Sequence, residues 1–169
     1  MKLNKYNGTI NNLGPKDVFV FGSNLQGFHG AGAAGYASFG VFGNKWGQFN
    51  YYSKPIGWKG KWNVKGTSEG LQAGTEGYSY AIPTVYKAGL KRSRSIDEIT
   101  GSIRRMYTTA ALNPYWRFLV AQSTKGGLNG YTAEEMAEMF RRAGPIPENV
   151  WFEVEFAKLI EKGKYKSIW

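Results

Sequence analysis

Two glycine-rich stretches of the chain could bind an anionic ligand through their backbone amides. The first, GSNLQGFHGAGAAG, spans 22–35, and the second, STKGGLNG, spans 123–130. Glycine lets the backbone approach a ligand closely and adopt positive φ values, so that successive N–H groups can converge on a phosphate. The first stretch also holds the only histidine, His29, which suits proton transfer near neutral pH. The glycine-rich stretches predict anion binding; for His29 the alternative to a chemical role is local packing.

Each stretch lies between a predicted strand and a predicted helix. The strands are the apolar runs DVFVFG (Asp17–Gly22) and RFLVAQ (Arg117–Gln122), and the helices are the Ala-rich segment 30–39 and TAEEMAEMFRRA at 132–143. A helix N-terminus presents free N–H groups and the positive end of the helix dipole, both of which favour phosphate. Two such junctions predict a ligand with two phosphates, or with a phosphate and a ribose, at the C-terminal edge of a sheet.

The rest of the chain continues the alternation of strands and helices. YSYAIPT is a predicted strand that we expect to stop at its proline, and PIPENVWFEV contains another, followed by a short helix in EFAKLIEKG. Two capping boxes mark helix starts, one formed by Ser95 with Glu98 and one by Thr132 with Glu135. The alternation predicts an α/β fold, and the length predicts a single domain over 1–169.

The segment 43–77 interrupts this pattern and is predicted to be an insertion. It is rich in glycine, lysine and aromatic residues without sustained periodicity, and a hairpin is expected near Trp58–Val64. Basic residues between aromatic ones could stack nucleic-acid bases or line a ligand. The same aromatic residues could instead form a small second core beneath a loop, so both interpretations stay open.

Composition excludes several kinds of site. The chain has no cysteine and one histidine, which excludes disulfides and thiolate ligands and disfavours zinc. No metal site is therefore predicted, although magnesium held by carboxylates is compatible with the composition. We expect no signal peptide in MKLNKYNGTINN and no membrane span, because no apolar run reaches about 18 residues. A cytoplasmic location is the expectation.

The net charge of +10 is unevenly distributed. Residues 1–94 contain 12 Lys and Arg against three acidic residues, whereas 95–169 contain ten against nine. A basic, aromatic N-terminal half would attract nucleic acid or a nucleotide. Nucleic-acid binding by this half is thus the alternative function, and a surface charged for solubility is the simplest explanation.

Known phosphate-binding fingerprints do not fit either glycine-rich stretch. The Walker pattern needs Lys-Ser/Thr after its glycines, but Lys125 comes before Gly126 and Gly127. The dinucleotide pattern G-x-G-x-x-G requires an acidic residue about 20 positions later, whereas the next acidic residue after Asp17 is Glu69. A redox Rossmann domain is therefore disfavoured, and no cofactor is predicted.

Four motifs together resemble the macrodomain family, whose members bind ADP-ribose. GSNLQGFHGAGAAGYASFG is similar to the first ligand loop and helix of the bacterial and phage branch, with its FGSN…HGAGAA motif. YSYAIPT resembles that branch's second strand, GGLNGYTAEEMAEMF its phosphate loop and helix, and ENVWFEVEF its closing strand. The resemblance runs from Asp17 to about Phe156. It implies a three-layer α/β/α sandwich with a mixed central sheet.

The resemblance also implies roles for particular residues. Asn24 would lie near the ribose hydroxyls and His29 near the distal ribose, and these two are the candidate catalytic residues. Asp17 is the candidate for the adenine amine. The backbones of two loops would line the sugar and the diphosphate, with Thr84 at the end of the second strand. The candidate ligand-binding residues are Asp17, Gly22, Ser23, Asn24, Gly30, Ala31, Gly32, Ala33, Thr84, Ser123, Thr124, Lys125, Gly126, Gly127, Leu128, Asn129, Gly130 and Tyr131.

Two departures from the family pattern bear on catalysis. Family members that cleave ADP-ribosyl bonds often have a lysine directly after the threonine that ends the second strand, where this chain has Val85, with Lys87 two positions later. Some also have an acid in the second loop, where Asn129 stands here. The sequence thus predicts binding of ADP-ribose or a derivative, leaving hydrolysis open. The phage-like branch adds the hypothesis that the chain sequesters a nucleotide signal in the host cytoplasm as a counter-defence.

Overall fold

Six strands form one mixed sheet in the computed structural model, which describes residues 2–10, 12–26, 68–73, 77–87, 90–121 and 130–166, with 163–166 through their backbone alone. The strands of this sheet are β1 (Asn4–Tyr6), β2 (Asp17–Asn24), β3 (Gly70–Ala73), β4 (Tyr78–Val85), β5 (Arg117–Val120) and β6 (Val150–Glu153). Their order across the sheet is β1-β6-β5-β2-β4-β3. All neighbours are parallel except β3, which is antiparallel to β4. The five parallel strands therefore end at the same edge of the sheet.

Three helices pack on one face of this sheet within the described residues. They are α1 (Ile96–Leu112), α2 (Ala133–Arg142) and α3 (Val154–Lys166). Alternate side chains of the central strands, such as Val18 and Val20 of β2, point into the core beneath them. Phe19 and Phe21 of β2 point to the other face and are also buried. Burial on both faces explains the nearly continuous apolar run of β2.

Local sequence signals define the starts of two helices. Ser95 accepts a hydrogen bond from the Glu98 backbone, and the Glu98 side chain accepts one from the Ser95 backbone. Thr132 and Glu135 form the same reciprocal pair before α2. Both predicted capping boxes are confirmed, because each can be recognised from residues three positions apart.

The expectation that β4 stops at Pro83 is wrong, because the strand continues to Val85. The antiparallel partner β3 extends only as far as Ala81 in the pairing register. The carbonyl of Pro83 accepts a hydrogen bond from Arg94, so it points away from β2. In an extended strand, an N–H at position 83 would point to the same side as this carbonyl, where β3 has already ended. The proline thus removes no hydrogen bond from the sheet.

The α/β class with a mixed central sheet is as predicted, but β1 and β3 were not predicted. β3 lies within the segment 43–77 that was interpreted as an insertion, and its pairing with β4 makes Gly70–Ala73 part of the sheet. The helix predicted at 30–39 and the hairpin predicted near Trp58–Val64 lie outside the described residues. In the described part of the chain, no helix combines the length and apolar character needed to span a membrane.

Candidate functional site

The C-terminal edge of the sheet contains a topological switch point between β2 and β5. These two strands are parallel neighbours. From β2 the chain continues to β3 and β4 on one side of β2, whereas from β5 it continues to β6 on the other side. Connections that leave two adjacent strands in opposite directions create the crevice in which open α/β sheets bind their ligands. Both glycine-rich stretches begin at this point, the first within β2 and the second after β5.

The two strands at the switch point end at different heights. Val120, the last residue of β5, pairs with Val20 of β2, and the N–H of Ala121 donates to the Val20 carbonyl at 2.8 Å. β2 then continues through Phe21–Asn24, which we call the β2 overhang. At about 3.3 Å per residue the overhang extends roughly 13 Å beyond the end of β5. The backbone of the overhang therefore extends past the last pairing with β5.

Hydroxyl groups hold the ends of β2 and β4 in place. The Ser23 hydroxyl donates to the carbonyl of Ser68 at 2.7 Å, and the Thr84 hydroxyl donates to the carbonyl of Ser23 at 3.2 Å. The Leu25 N–H donates to the carbonyl of Val85 at 3.1 Å. Ser23, Asn24 and Thr84 are all buried, so the structure brings these three candidates together at the C-terminal edge. The hydroxyls of Ser23 and Thr84 therefore stabilise the backbone at the ends of β2 and β4.

A tyrosine from β1, which sequence analysis did not single out, completes the edge next to β5. The Tyr6 hydroxyl donates to the carbonyl of Val120, the residue at which β5 ends. Burial, together with the nearby charge of Glu153, raises the pKa of Tyr6 well above its ordinary value. Tyr6 is therefore a neutral donor throughout the physiological range and fixes the end of β5. Its partner lies 114 residues away, so no local signal marks it.

The start of α2 is satisfied by its own residues. The capping box of Thr132 and Glu135 engages backbone donors at the helix N-terminus, and Glu134 and Glu135 add negative charge in the first turn. A carboxylate at this position already uses the favourable end of the helix dipole and would repel a phosphate. The two carboxylates therefore weaken the attraction of this helix end for an anion.

Two candidates of the second stretch, Gly130 and Tyr131, contact the segment before α1. Gly130 has φ +89° and accepts a hydrogen bond from Arg92 Nε at 2.8 Å. The Tyr131 ring is buried in the core, and its hydroxyl donates to the carbonyl of Arg94. Tyr131 thus occupies a structural position in the described chain. Arg92 and Arg94 carry no sequence signal for this role, because nearly forty residues separate them from Gly130 and Tyr131.

Arg94 is a buried cation next to the end of β4. Its Nη1 donates to the carbonyl of Pro83 at 2.5 Å and to the Ser102 hydroxyl at 3.0 Å. The Ser102 hydroxyl in turn donates to Glu69 at 2.8 Å, and Arg105 donates to the same carboxylate. The hydrogen bonds from Arg105 are the main reason that the pKa of Glu69 is lowered. This network connects α1 with the end of β4 and the start of β3.

Asp17 lies away from the other described candidates. It is the first residue of β2, whereas Ser23 and Asn24 are the last, so Asp17 lies where the parallel strands begin and not where they end. Its carboxylate accepts hydrogen bonds from Arg117 Nε at 2.8 Å, from Arg117 Nη2 at 2.9 Å and from the Gly14 N–H at 2.8 Å. Burial alone would raise the pKa of Asp17, but these hydrogen bonds and the Arg117 charge lower it. The predicted adenine contact finds no support in this placement.

The position after Thr84, where a catalytic lysine was sought, is filled by the side chain of Val85, which is 2% exposed. Lys87 lies two residues beyond it on the surface. The remaining candidates, which include His29, lie outside the described residues. They are His29, Gly30, Ala31, Gly32, Ala33, Ser123, Thr124, Lys125, Gly126, Gly127, Leu128 and Asn129. Among the described residues, no three His, Asp or Glu side chains come together as metal ligands.

Comparison with known proteins finds similar solved structures but no match by family model or, among curated proteins, by sequence. Among solved structures, a mutant of the Oceanobacillus iheyensis macrodomain is similar, with 11% sequence identity and a TM-score of 0.46. The match covers 96% of this chain and 90% of that chain. At this identity and score the likeness by itself carries no argument about family or function.

Proposed function

We propose that the chain binds ADP-ribose or a closely related nucleotide in the crevice between the C-terminal ends of β2 and β5. The observation that carries this proposal is the position of the two glycine-rich stretches. They leave adjacent parallel strands at the switch point of the sheet, although about 100 residues separate them in the sequence. A diphosphate placed there would meet two glycine-rich backbones at once, which a single glycine-rich turn cannot provide.

The chemistry of the edge supports a sugar–phosphate ligand. The Val20 carbonyl faces β5, so two residues later the Gly22 backbone faces the same side, beyond the end of β5, and Asn24 ends the β2 overhang. Backbone donors suit phosphate oxygens, and a buried amide suits ribose hydroxyls. The four-motif resemblance to macrodomains independently leads to the same ligand class, and Asn24 is the residue on which both lines of reasoning agree.

We propose binding as the primary activity and hydrolysis as the finer hypothesis. Val85 is buried where cleaving family members often have lysine, which removes one candidate nucleophile or electrophile. Hydrolysis would then depend on Asn24 and His29, with His29 moving a proton and Asn24 orienting the water. Release of ADP-ribose from modified protein or DNA, measured for the wild type and for Asn24→Ala, tests this hypothesis. Sequestration of a cyclic ADP-ribose signal is tested by competition with ADP-ribose for the same site.

Calorimetric titration with ADP-ribose, using AMP and NAD as controls, tests the proposal directly. The loop-blocking variants are Gly32→Glu and Gly127→Glu, which place a bulky anion in each glycine-rich stretch. Tyr115→Glu is the matched control, because Tyr115 is 88% exposed just before β5 starts, at the opposite edge of the sheet. We expect both loop variants to lose binding and Tyr115→Glu to retain it. Normal binding by both loop variants would overturn the assignment of the site.

Salt dependence separates the proposal from the nucleic-acid alternative. The excess of Lys and Arg in residues 1–94 favours this alternative. Nucleic-acid affinity falls steeply with salt, because each contacted phosphate releases counterions. A pocket for a single diphosphate depends less on salt. If the chain gives no heat with ADP-ribose but binds single-stranded nucleic acid in a salt-dependent way, the alternative replaces the proposal.

A further inference from the structure

Arg92 has a backbone conformation that is costly for its residue type. Its φ is +51°, and it is the sole non-glycine residue with positive φ in the described ranges. The left-handed region is unfavourable for an L-residue with a Cβ, so surrounding contacts must maintain it. Such an outlier is a reason to ask which contacts the strained conformation makes possible.

The Arg92 side chain makes three contacts with the downstream end of the second glycine-rich stretch. Its Nε donates to the carbonyl of Gly130 at 2.8 Å, and its Nη2 donates to Glu135 at 2.6 Å. Its guanidinium carbon lies 4.7 Å from the centroid of the Tyr131 ring, which is a cation–π distance. One planar side chain therefore contacts the last residue of the stretch, the next residue and the first turn of α2.

The backbone of Gly130 is fitted to the segment that contains Arg92. A Cβ on Gly130 would lie 3.1 Å from Arg92 Cγ and 3.1 Å from Lys91 Cβ, which is closer than most real contacts. Gly130 also has φ +89°, which favours glycine independently of the space. Close approach of the two backbones thus requires glycine at 130, and the left-handed conformation at 92 accompanies it.

A second contact connects the same segment to the end of β4. The Tyr131 hydroxyl donates to the carbonyl of Arg94, and Arg94 donates to the carbonyl of Pro83. Pro83 directly precedes Thr84, whose hydroxyl donates to the carbonyl of Ser23 in the β2 overhang. A chain of hydrogen bonds therefore runs from the end of the second glycine-rich stretch through β4 to the end of β2.

We propose that Arg92 is a positioning residue of the ligand site: it holds Gly130 and Tyr131, where the second glycine-rich stretch ends and α2 begins, in place before a ligand binds. This inference rests on the proposed binding of ADP-ribose. Ordering a backbone during binding lowers affinity, and a contact that orders it beforehand recovers that loss. Arg92 acts through Gly130 and Tyr131, without touching the ligand itself.

A merely structural role would be a weak explanation of these contacts. The Arg92 side chain is half exposed, and its ion pair with Glu135 lies at the surface. Exposed ion pairs contribute little to stability, because solvent and salt screen them and the side chains lose entropy. The exposed ion pair therefore does little to offset the strained backbone, and the contacts that distinguish Arg92 are those with Gly130 and Tyr131.

The test compares Arg92→Gly, Arg92→Lys and the control Lys91→Ala in the full chain. Glycine removes the side chain and relieves the positive-φ strain, whereas lysine keeps the charge but lacks the planar fork that reaches Gly130 and Glu135 together. Lys91→Ala removes one positive charge from the neighbouring residue and keeps its Cβ. The readouts are the Kd for ADP-ribose, the thermal midpoint, and amide hydrogen exchange of the peptide from Gly130 to Met136.

We expect Arg92→Gly to weaken ADP-ribose binding by roughly three- to tenfold, while its thermal midpoint stays close to that of the wild type. Exchange in the peptide should become faster without ligand. Arg92→Lys should resemble Arg92→Gly, and Lys91→Ala should resemble the wild type. Unchanged affinity and exchange in Arg92→Gly would overturn the inference, and so would wild-type affinity in Arg92→Lys, which would assign the effect to charge alone.

The same experiment separates this inference from the proposed function. If the wild type does not bind ADP-ribose, the proposed function is wrong, and so is the proposed effect of Arg92 on ligand affinity. Hydrogen exchange without ligand still decides whether Arg92 orders the chain at Gly130. If the wild type binds and Arg92→Gly binds equally well, only the role of Arg92 is rejected.

Discussion

The Asp17 carboxylate and the Arg117 guanidinium form two hydrogen bonds, of 2.8 and 2.9 Å, across the first residues of β2 and β5. These residues also face each other in the pairing register of the two strands. The ion pair therefore fixes the relative position of the strands between which we propose that the ligand binds, but from the opposite edge of the sheet. Its contribution is to the register, which in turn sets the length of the β2 overhang.

Asp17→Asn is expected to lower the free energy of unfolding by about 1–2 kcal/mol and to leave the affinity for ADP-ribose unchanged. The side chain of Asp17 is 8% exposed but that of Arg117 is 46% exposed, so solvent screens part of the interaction. Denaturant unfolding measures the first effect and calorimetry the second. Arg117→Met should cost more, because it leaves the buried carboxylate without its cation. A loss of affinity in Asp17→Asn would instead support the adenine contact inferred from the sequence.

Acidification should destabilise the protein partly through Asp17 and Glu69. Both have a pKa below the ordinary value in the folded state, so the unfolded chain takes up protons first as the pH falls. The stabilisation they provide is complete above the unfolded-state values of about 4 and is lost as the pH falls through the folded values. Unfolding free energies measured between pH 6 and 2, at roughly one-unit steps, should show a shallower slope for Asp17→Asn than for the wild type.

Gly101→Ala is expected to stabilise the protein by about 0.5–1 kcal/mol, since glycine is a poor helix former in the middle of α1. An added Cβ would lie 3.8 Å from Arg105 Nη1, an ordinary contact distance, so no neighbour has to move. The thermal midpoint should rise. A lower midpoint would show that Gly101 makes a contact for which alanine is too large.

Gly130→Ala should reduce both stability and affinity, whereas Gly144→Ala should reduce stability alone. Both glycines have positive φ, +89° and +123°, so alanine is strained at either position, by about 1–3 kcal/mol. At Gly144 no atom lies within 4 Å of the added Cβ, but at Gly130 it would push against Lys91 and Arg92. Paired measurements of unfolding and ADP-ribose binding test the contrast. Equal affinities would mean that displacing Gly130 does not affect the ligand site.

The sequence predicted the longer helices and strands, because each of them contains its own local signal. β2 could be predicted from its apolar run, and the starts of α1 and α2 from their capping boxes, because these signals lie within a few residues of one another. β1 and β3 have three and four residues and lie at the two edges of the sheet. β1 pairs with β6, which lies far away in the sequence, so no local signal marks it. β3 is close in sequence to its partner β4, but four residues are too few to show a periodic pattern.

The candidate site was predictable at the level of which strands end there, but its supporting contacts were not. Ser23, Asn24 and Thr84 were chosen from motifs and do lie together at the ends of β2 and β4. The contact of Arg92 with Gly130 joins residues 38 positions apart through one side chain, and nothing in either local sequence specifies it. Asp17 was assigned to the adenine amine because the family resemblance implies an acidic residue near the start of the first strand, and it lies at the opposite end of β2 from Ser23 and Asn24.

The number of residues in the β2 overhang also determines how deep the proposed crevice would be. In the crevice that we propose, the end of β5 would form the floor and the β2 overhang the wall, so the depth would follow the number of residues by which β2 extends past β5. Substitutions can change which groups line this wall, but only insertions or deletions can move the floor. Removing two residues from the overhang would make the crevice about 7 Å shallower. Related chains should therefore differ in the size of the ligand they accept through indels at these two strand ends, and in its chemistry through point changes.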